Sequence, residues 1–356
     1  MFLALKELKY SKMKFALIIA VIVLVSYLVY FLTSLAYGLA SSYTNAIEKW
    51  GSDEIIMTID ANDSIMMSFM DQDDYDSVTT TGSKTKLGLF PAVINNPTAD
   101  DILGSRIDVF FFGIEDDSFI KPNQSITLTG NKVIADDSLQ KEGYQVGDIF
   151  GISGSTQTYE IIGFSKKTTY QTAPVIYMSL ESWQQYRYNT QTPPDLYSGI
   201  IVRGESTIDS SNKSLLIYKT DDYISTLPGY TAQVLTFTTM IVFLIIIVAF
   251  VLGIFIYVLT IQKTSMFGVM KAQGISNGYI GGSVVLQTFL LVLIGIILGG
   301  ILTLLTGIFL GDVIPFAVNI LFYVVITAAF FLFAFFGALF SVSAVLKIDP
   351  LKAIGG

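Results

Sequence analysis

The chain has 356 residues, 52% of them hydrophobic, a net charge of −8, and neither cysteine nor histidine. That composition excludes disulfides, thiolate or imidazole metal sites and Ser-His-Asp or Cys-His triads, so any haem or metal ligand has to be Met, Tyr, Asp or Glu. Residues 41–231 hold 26 of the 29 acidic residues and 13 of the 21 basic ones, a net of −13 that repels nucleic acid, whereas the rest of the chain carries eight Lys and three acids.

In chain order, residues 1–14 place Lys6, Lys9 and Lys12 at helical spacing with Leu3, Leu5 and Leu8 between them. This reads either as an amphipathic helix on the inner membrane surface or as a topology signal alone. The apolar run 15–39 exceeds the roughly 20 residues that cross ~30 Å of hydrocarbon. Its apolar core is too long for a cleavable signal peptide, so a retained membrane helix, 15–41, is expected. Tyr27, Tyr30, Ser34, Tyr37 and Ser41 share one face of that helix. They read as interface anchors and helix packing, or as a polar-aromatic groove facing a partner helix or substrate.

Residues 42–231 are expected to form a mixed α/β domain. Strand-like pieces recur at 54–59, 108–114, 125–128, 132–135, 159–164, 175–178 and 199–202, and helical ones at 136–142 and 179–188. Val146-Gly147-Asp148 reads as a turn entering a strand. The pairs Asp73-Asp74, Asp100-Asp101, Asp116-Asp117, Asp136-Asp137 and Asp221-Asp222 lack the alternation of a calcium loop and read as solvated loops.

Further apolar runs at 237–261, 280–310 and 315–346 give expected membrane helices at 232–262, 277–311 and 315–346, followed by a tail, 347–356. Lys near the membrane ends marks the inner side, which places both termini and the loop 263–276 in the cytoplasm, with 42–231 and the turn at Asp312 outside. The loop carries an apolar patch, Met266, Phe267, Val269 and Met270, on a short helix. Gly274 is placed to end that helix, and Ser276 or Asn277 to cap the next. An exposed apolar patch there reads as a partner surface. The third run carries Gly295-xxx-Gly299 and Gly307-xxx-Gly311, the spacing of close helix approach in lipid. The last three runs hold no buried ionisable residue, which argues against ion-coupled transport, and the chain has no phosphate-binding P-loop. Energy for any transport would have to come from a partner.

The 1 + 3 helix layout, the loop Lys263–Gly274 and the ending Asp349-Pro350-Leu351-Lys352-Ala353 together resemble the FtsX/MacB-like permeases of ABC transporters. In the loop, Gly268, Lys271, Ala272 and Gly274 fit the family pattern, while Phe267 stands where that family often has Glu. Lys132-Val133-Ile134-Ala135 followed by Val146-Gly147-Asp148 is similar to the start of the MacB-type extracellular core. The start of the chain and the loop resemble most the haem-exporting (HrtB-like) and DevC-type subgroup.

The resemblance implies an α-helical membrane protein with four transmembrane helices and an inserted extracellular α/β, MacB-like domain. It implies a homodimer bound to two copies of an ABC ATPase, with no catalytic residue and no cofactor in this chain. Lys263, Met266, Phe267, Gly268, Met270, Lys271 and Gly274 would then couple the ATPase. Tyr27, Tyr30, Ser34, Tyr37 and Glu48 would line a lateral outer-leaflet groove for an amphipathic cargo, with haem or a porphyrin foremost. The same resemblance also admits export of antimicrobial peptides, lipids or other toxins, and an FtsX-like transducer that activates an external hydrolase.

Overall fold

Four helices carry the apolar runs, and the computed structural model describes them within residues 12–95, 106–311 and 313–346. The reading of 1–14 falls mostly outside the described residues, as do Asp100-Asp101, Asp312 and the tail 347–356. The first helix, α1, spans Lys12–Trp50. The chain then runs β1 (Glu54–Thr58), α2 (Gln72–Ser77), β2 (Val78–Thr80), β3 (Ser83–Asn95), β4 (Ile107–Ile114), β5 (Lys132–Asp136) and β6 (Ile149–Ile152). It continues through β7 (Thr158–Ser165), β8 (Thr169–Tyr170), β9 (Ala173–Ser179), α3 (Leu180–Tyr188), β10 (Gly199–Arg203), β11 (Ser206–Ile208), β12 (Leu215–Lys219) and α4 (Thr220–Thr226). Helices α5 (Tyr230–Ile261), α6 (Thr264–Ala272), α7 (Asn277–Leu310) and α8 (Ile320–Leu346) complete it. The chain divides into two units, Ala40–Gln233 and the remainder.

Within the first of these units a ten-stranded sheet runs in the order β12-β1-β10-β3-β4-β9-β5-β7-β6, with β8 added on β9. The end of β6 also pairs back onto the end of β3, Ile94 opposite Ile152, so β3, β4, β9, β5, β7 and β6 close into a ring. Alternation along β4 shows how the sheet serves two cores. Val109 and Phe111 enter one core with Val133, Phe150, Ile176 and Trp183. Phe112 and Ile114 enter the other with Trp50, Ile55, Tyr170 and Tyr177. Helix α3 starts at Ser179, whose side chain accepts from the Ser182 amide. It lays Trp183 across Gly88 of β3 and Gly113 of β4, where a Cβ at either glycine would overlap the Trp183 side chain. A fully buried aromatic of this kind is worth about 3–5 kcal/mol against alanine.

The last turns of α1 are built into this unit. Trp50 is fully buried, and the Arg203 guanidinium donates to the carbonyls of Trp50 and Gly51. The amides of Gln171 and Thr172 donate to the carbonyls of Tyr43 and Ser42, each at 3.1 Å, and Asn45 Nδ2 donates to Thr169 Oγ1 at 3.0 Å.

The other unit is a helical bundle. Ile22, Val29 and Tyr30 of α1 pack with Val248, Leu252 and Ile256 of α5, Leu291 and Ile296 of α7, and Ile326, Phe330 and Ala334 of α8. The glycine spacing of the third run faces α1: a Cβ on Gly295 would collide with Ile22, and one on Gly299 with Ser26. Ser26 Oγ donates to the Gly295 carbonyl at 3.2 Å, so close approach and an interhelical hydrogen bond coincide.

Three local expectations are corrected. Residues 125–128 form no strand, because side chains claim the backbone: Asn123 Oδ1 accepts from the Ser125 amide and Asp116 Oδ1 from the Leu128 amide. The helix expected at 136–142 is a short 3-10 turn, Asp137–Gln140. Not all the paired acids are solvated: Asp136 is buried, accepting from the Ser138 amide and from both the amide and hydroxyl of Thr168. Asp74 belongs to a capping box with Asp71 at the start of α2.

Candidate functional site

Two groups of residues were singled out by the sequence, and each takes a definite place. The loop group sits on α6. Here the apolar patch splits into two faces, because residues three apart share a helix face and adjacent ones do not. Phe267 and Met270 are 2% and 8% exposed and pack with Ile280, Val284, Ile275 and Val342. Met266 and Val269 point away and are 36% and 44% exposed. Gly268 is buried and Lys271 half-buried.

Helix α6 ends in a Schellman motif. Gly274 adopts φ +84°, its amide donates to the Lys271 carbonyl, and the Ile275 amide donates to the Met270 carbonyl, each at 3.0 Å. The hydrophobic contact that accompanies the motif is Ile275 against Met270. Ser276 then caps α7, accepting from the Tyr279 amide. A rigid two-faced helix held between two long apolar helices is the result.

Lys263 precedes α6 as its N-cap residue but does not cap it. Its Nζ donates to Gln287 Oε1 of α7 at 2.8 Å and lies 5.3 Å from the centroid of the Phe15 ring of α1. Gln287 went unnoticed in the sequence; its signal was a lone amide within an apolar run.

The α1 group is only partly brought together. Tyr30 is buried, its hydroxyl 2.6 Å from Thr327 Oγ1 and its ring 4.7 Å from that of Tyr323. Ser34 is buried, with Oγ 2.8 Å from the Tyr323 hydroxyl, and its carbonyl accepts from the Ala317 amide at 3.2 Å. Tyr37 is half-buried and meets Phe322 edge-on at 5.7 Å. The polar-aromatic face thus meets α8 of its own chain. Tyr323 and Thr327 are the partners that sequence reasoning missed, because no spacing rule links helices so far apart. Tyr27 turns instead to α7, where Thr306 Oγ1 donates to its hydroxyl at 3.3 Å. Glu48 lies apart from these, exposed, accepting from Thr44 Oγ1 at 2.6 Å. It lines a depression of about 340 Å³ with Ser52, Asp53, Lys219, Thr220 and Asp221. Among the described residues no three acidic side chains gather closely enough to hold a metal ion.

The chain thus has four apolar helices long enough to cross a bilayer, with a mixed α/β unit inserted after the first. Residues 238–350 match the family described as FtsX-like permease C-terminal. The whole chain is similar to hemin transport system permease proteins named HrtB. It is 25% identical over 357 residues to that of Staphylococcus epidermidis and 25% identical over 358 residues to that of Staphylococcus haemolyticus, with 99% of each chain covered. The crystal structure of the periplasmic region of MacB from Actinobacillus actinomycetemcomitans is also similar, at 14% identity and a TM-score of 0.32, covering 49% of this chain and 92% of that one.

Proposed function

We propose that the chain is the permease subunit of an ABC exporter in a bacterial cell membrane, working as a homodimer with two copies of a separate ATPase. In this reading α6 and both termini are cytoplasmic and the inserted unit is external. The observation that carries it is the two-faced α6: one face is locked onto α7 and α8, while Met266 and Val269 remain for a partner. ATP-driven closure of the ATPase pair pushes on that exposed face and, through the bundle, on α1 and α5.

The cargo proposed is haem or a porphyrin, released through a lateral cleft in the outer leaflet, in line with the names of the staphylococcal relatives. Haem is flat, amphipathic and anionic, and without His or Cys its iron would turn to Tyr, Met or Glu. Tyr37 and Tyr27 are half-buried already, whereas Tyr30 and Ser34 become available only if α1 parts from α8. A second reading, force transmission to an external hydrolase, draws on the unbroken α1 that ends with Trp50 buried in the inserted unit.

The test combines two measurements. Met266→Asp with Val269→Asp should abolish copurification with the co-expressed ABC ATPase partner and leave the permease folded; undiminished copurification refutes the coupling surface. A deletion strain should lose haemin tolerance. Unchanged haemin tolerance with new sensitivity to a peptide antibiotic moves the cargo to peptides, and sensitivity to neither favours force transmission.

A further inference from the structure

Two residues in the bundle break the local rules of the elements that hold them. Lys263 occupies the N-cap of α6, where Ser, Thr, Asp or Asn would satisfy the free amides, and its cation sits at the positive end of the helix dipole. Gln287 places a primary amide, 6% exposed, within the long apolar helix α7. Each departure is resolved by the other, through the 2.8 Å hydrogen bond from Lys263 Nζ to Gln287 Oε1. Lysine can only donate, so the bond fixes which way the amide faces. Paired violations of this kind mark a position kept for something other than local stability.

The surroundings fit a fixed joint. Together with the pair, Ile256, Leu259 and Thr260 of α5 and Val284, Thr288 and Leu291 of α7 line a partly open cavity of about 10 Å³, room for about one water molecule. Gln287 Nε2 has no protein acceptor among the described residues. The hydroxyls of Thr260 and Thr288 donate to the Ile256 and Val284 carbonyls of their own helices, which leaves their lone pairs to accept from such a water. The Phe15 ring of α1 lies within cation–π range of the same ammonium.

We propose that Lys263 and Gln287 form a latch that sets the position of α6 against α7, with Phe15 and one bridging water completing the joint. Lys263 and Gln287 are positioning residues: they hold in place the helix whose outer face carries Met266 and Val269. The latch rests on the bundle geometry and does not require the coupling reading, so its test needs no ATPase.

The chain has no native cysteine, so two introduced cysteines take spin labels uniquely. Labels at Val269→Cys on α6 and Leu293→Cys on α7 report the position of α6, and a control pair at Leu293→Cys and Phe336→Cys reports α7 against α8. All three positions are exposed. The 269–293 pair should give a single distance. In Lys263→Met and in Gln287→Leu a displaced population should rise roughly tenfold, the size expected for losing a charged hydrogen bond, while the control pair stays unchanged. An unaltered 269–293 distance in either variant overturns the latch, and so does equal broadening of both pairs, which would mean general loosening. If Lys263→Met fails to fold, Gln287→Leu, close to the native side chain in volume, decides alone.

Discussion

Tyr30 of α1 and Thr327 of α8 are joined hydroxyl to hydroxyl at 2.6 Å, one helical turn from the bond between Ser34 and Tyr323. Interhelical hydrogen bonds within a bilayer average about 0.6 kcal/mol and reach about 1.7 kcal/mol. Tyr30→Phe and Thr327→Val should each lower the thermal stability of the purified chain by that order. The double variant should lose little more than either single one. Fully additive losses in such a cycle would show that the two hydroxyls act separately.

The glycines of α7 make a sharper contrast. Gly299 faces Ser26 and the α1 backbone, whereas a Cβ on its neighbour Gly300 meets nothing within 4 Å. Gly299→Ala should destabilise by about 1–3 kcal/mol, the range for overpacking. Gly300→Ala should be neutral or stabilise by up to about 1 kcal/mol through helix propensity. Thermal melts of the two variants in one detergent check both signs.

The inserted unit should unfold in alkali. Burial pushes the Tyr159 and Tyr170 hydroxyls up to about 12 from an ordinary 10.0. Burial also raises Tyr75 to about 12, with Glu115 and Asp117 adding to the effect, and for Tyr218 the hydrogen bond to Asp63 does so foremost. The folded state holds these protons after the unfolded chain has released them. Their contribution is therefore complete below about pH 10 and is lost as pH rises through about 12. Tyrosinate absorbance and circular dichroism should change together across that window. Loss of the fold well below that window would contradict the assignment. Tyr170 and Tyr223 meet at 2.8 Å, so replacing both by Phe should move the midpoint to higher pH.

On α6 the two faces should respond differently to the same charge. Phe267→Asp puts a carboxylate among Ile280, Val284 and Met270 and should cost upwards of about 3 kcal/mol, seen as poor yield or a lowered melting temperature. Val269→Asp, on the exposed face, should change stability by no more than about 0.5 kcal/mol. Equal losses at the two positions would mean that the exposed face is itself packed in the purified chain.

Much of this was legible in the sequence because the signals were local. The C′ glycine at 274, the Ser276 cap and the close-packing glycines at 295 and 299 each depend on neighbours within a turn or on a fixed four-residue spacing. Strand β3, the longest in the sheet, was missed because Lys84, Lys86, Gly88 and Pro91 interrupt its pattern. Their reasons are tertiary. Lys84 Nζ donates to the Tyr75 and Val78 carbonyls, Lys86 reaches Gln72, Gly88 makes room for Trp183, and Pro91 sits exposed opposite Phe110. The site followed the same rule. The apolar patch on α6 was visible, but which half of it faces outward depends on Ile280, Val284 and Val342, beyond the reach of any short window.

The ring formed by β3, β4, β9, β5, β7 and β6 has one more consequence. An open sheet ends in unpaired backbone groups that can recruit a strand from another molecule, and a closed ring has no such ends. Among the described residues the sheet leaves two terminal strands: β8, only two residues long, and β12, five residues long, preceded by Lys213 and ending in Lys219, the kind of short, cationic border that discourages recruitment. A unit without disulfides thus gains protection from self-templated aggregation through topology, and a variant that broke the contact of Ile94 with Ile152 would forfeit solubility before it forfeited fold.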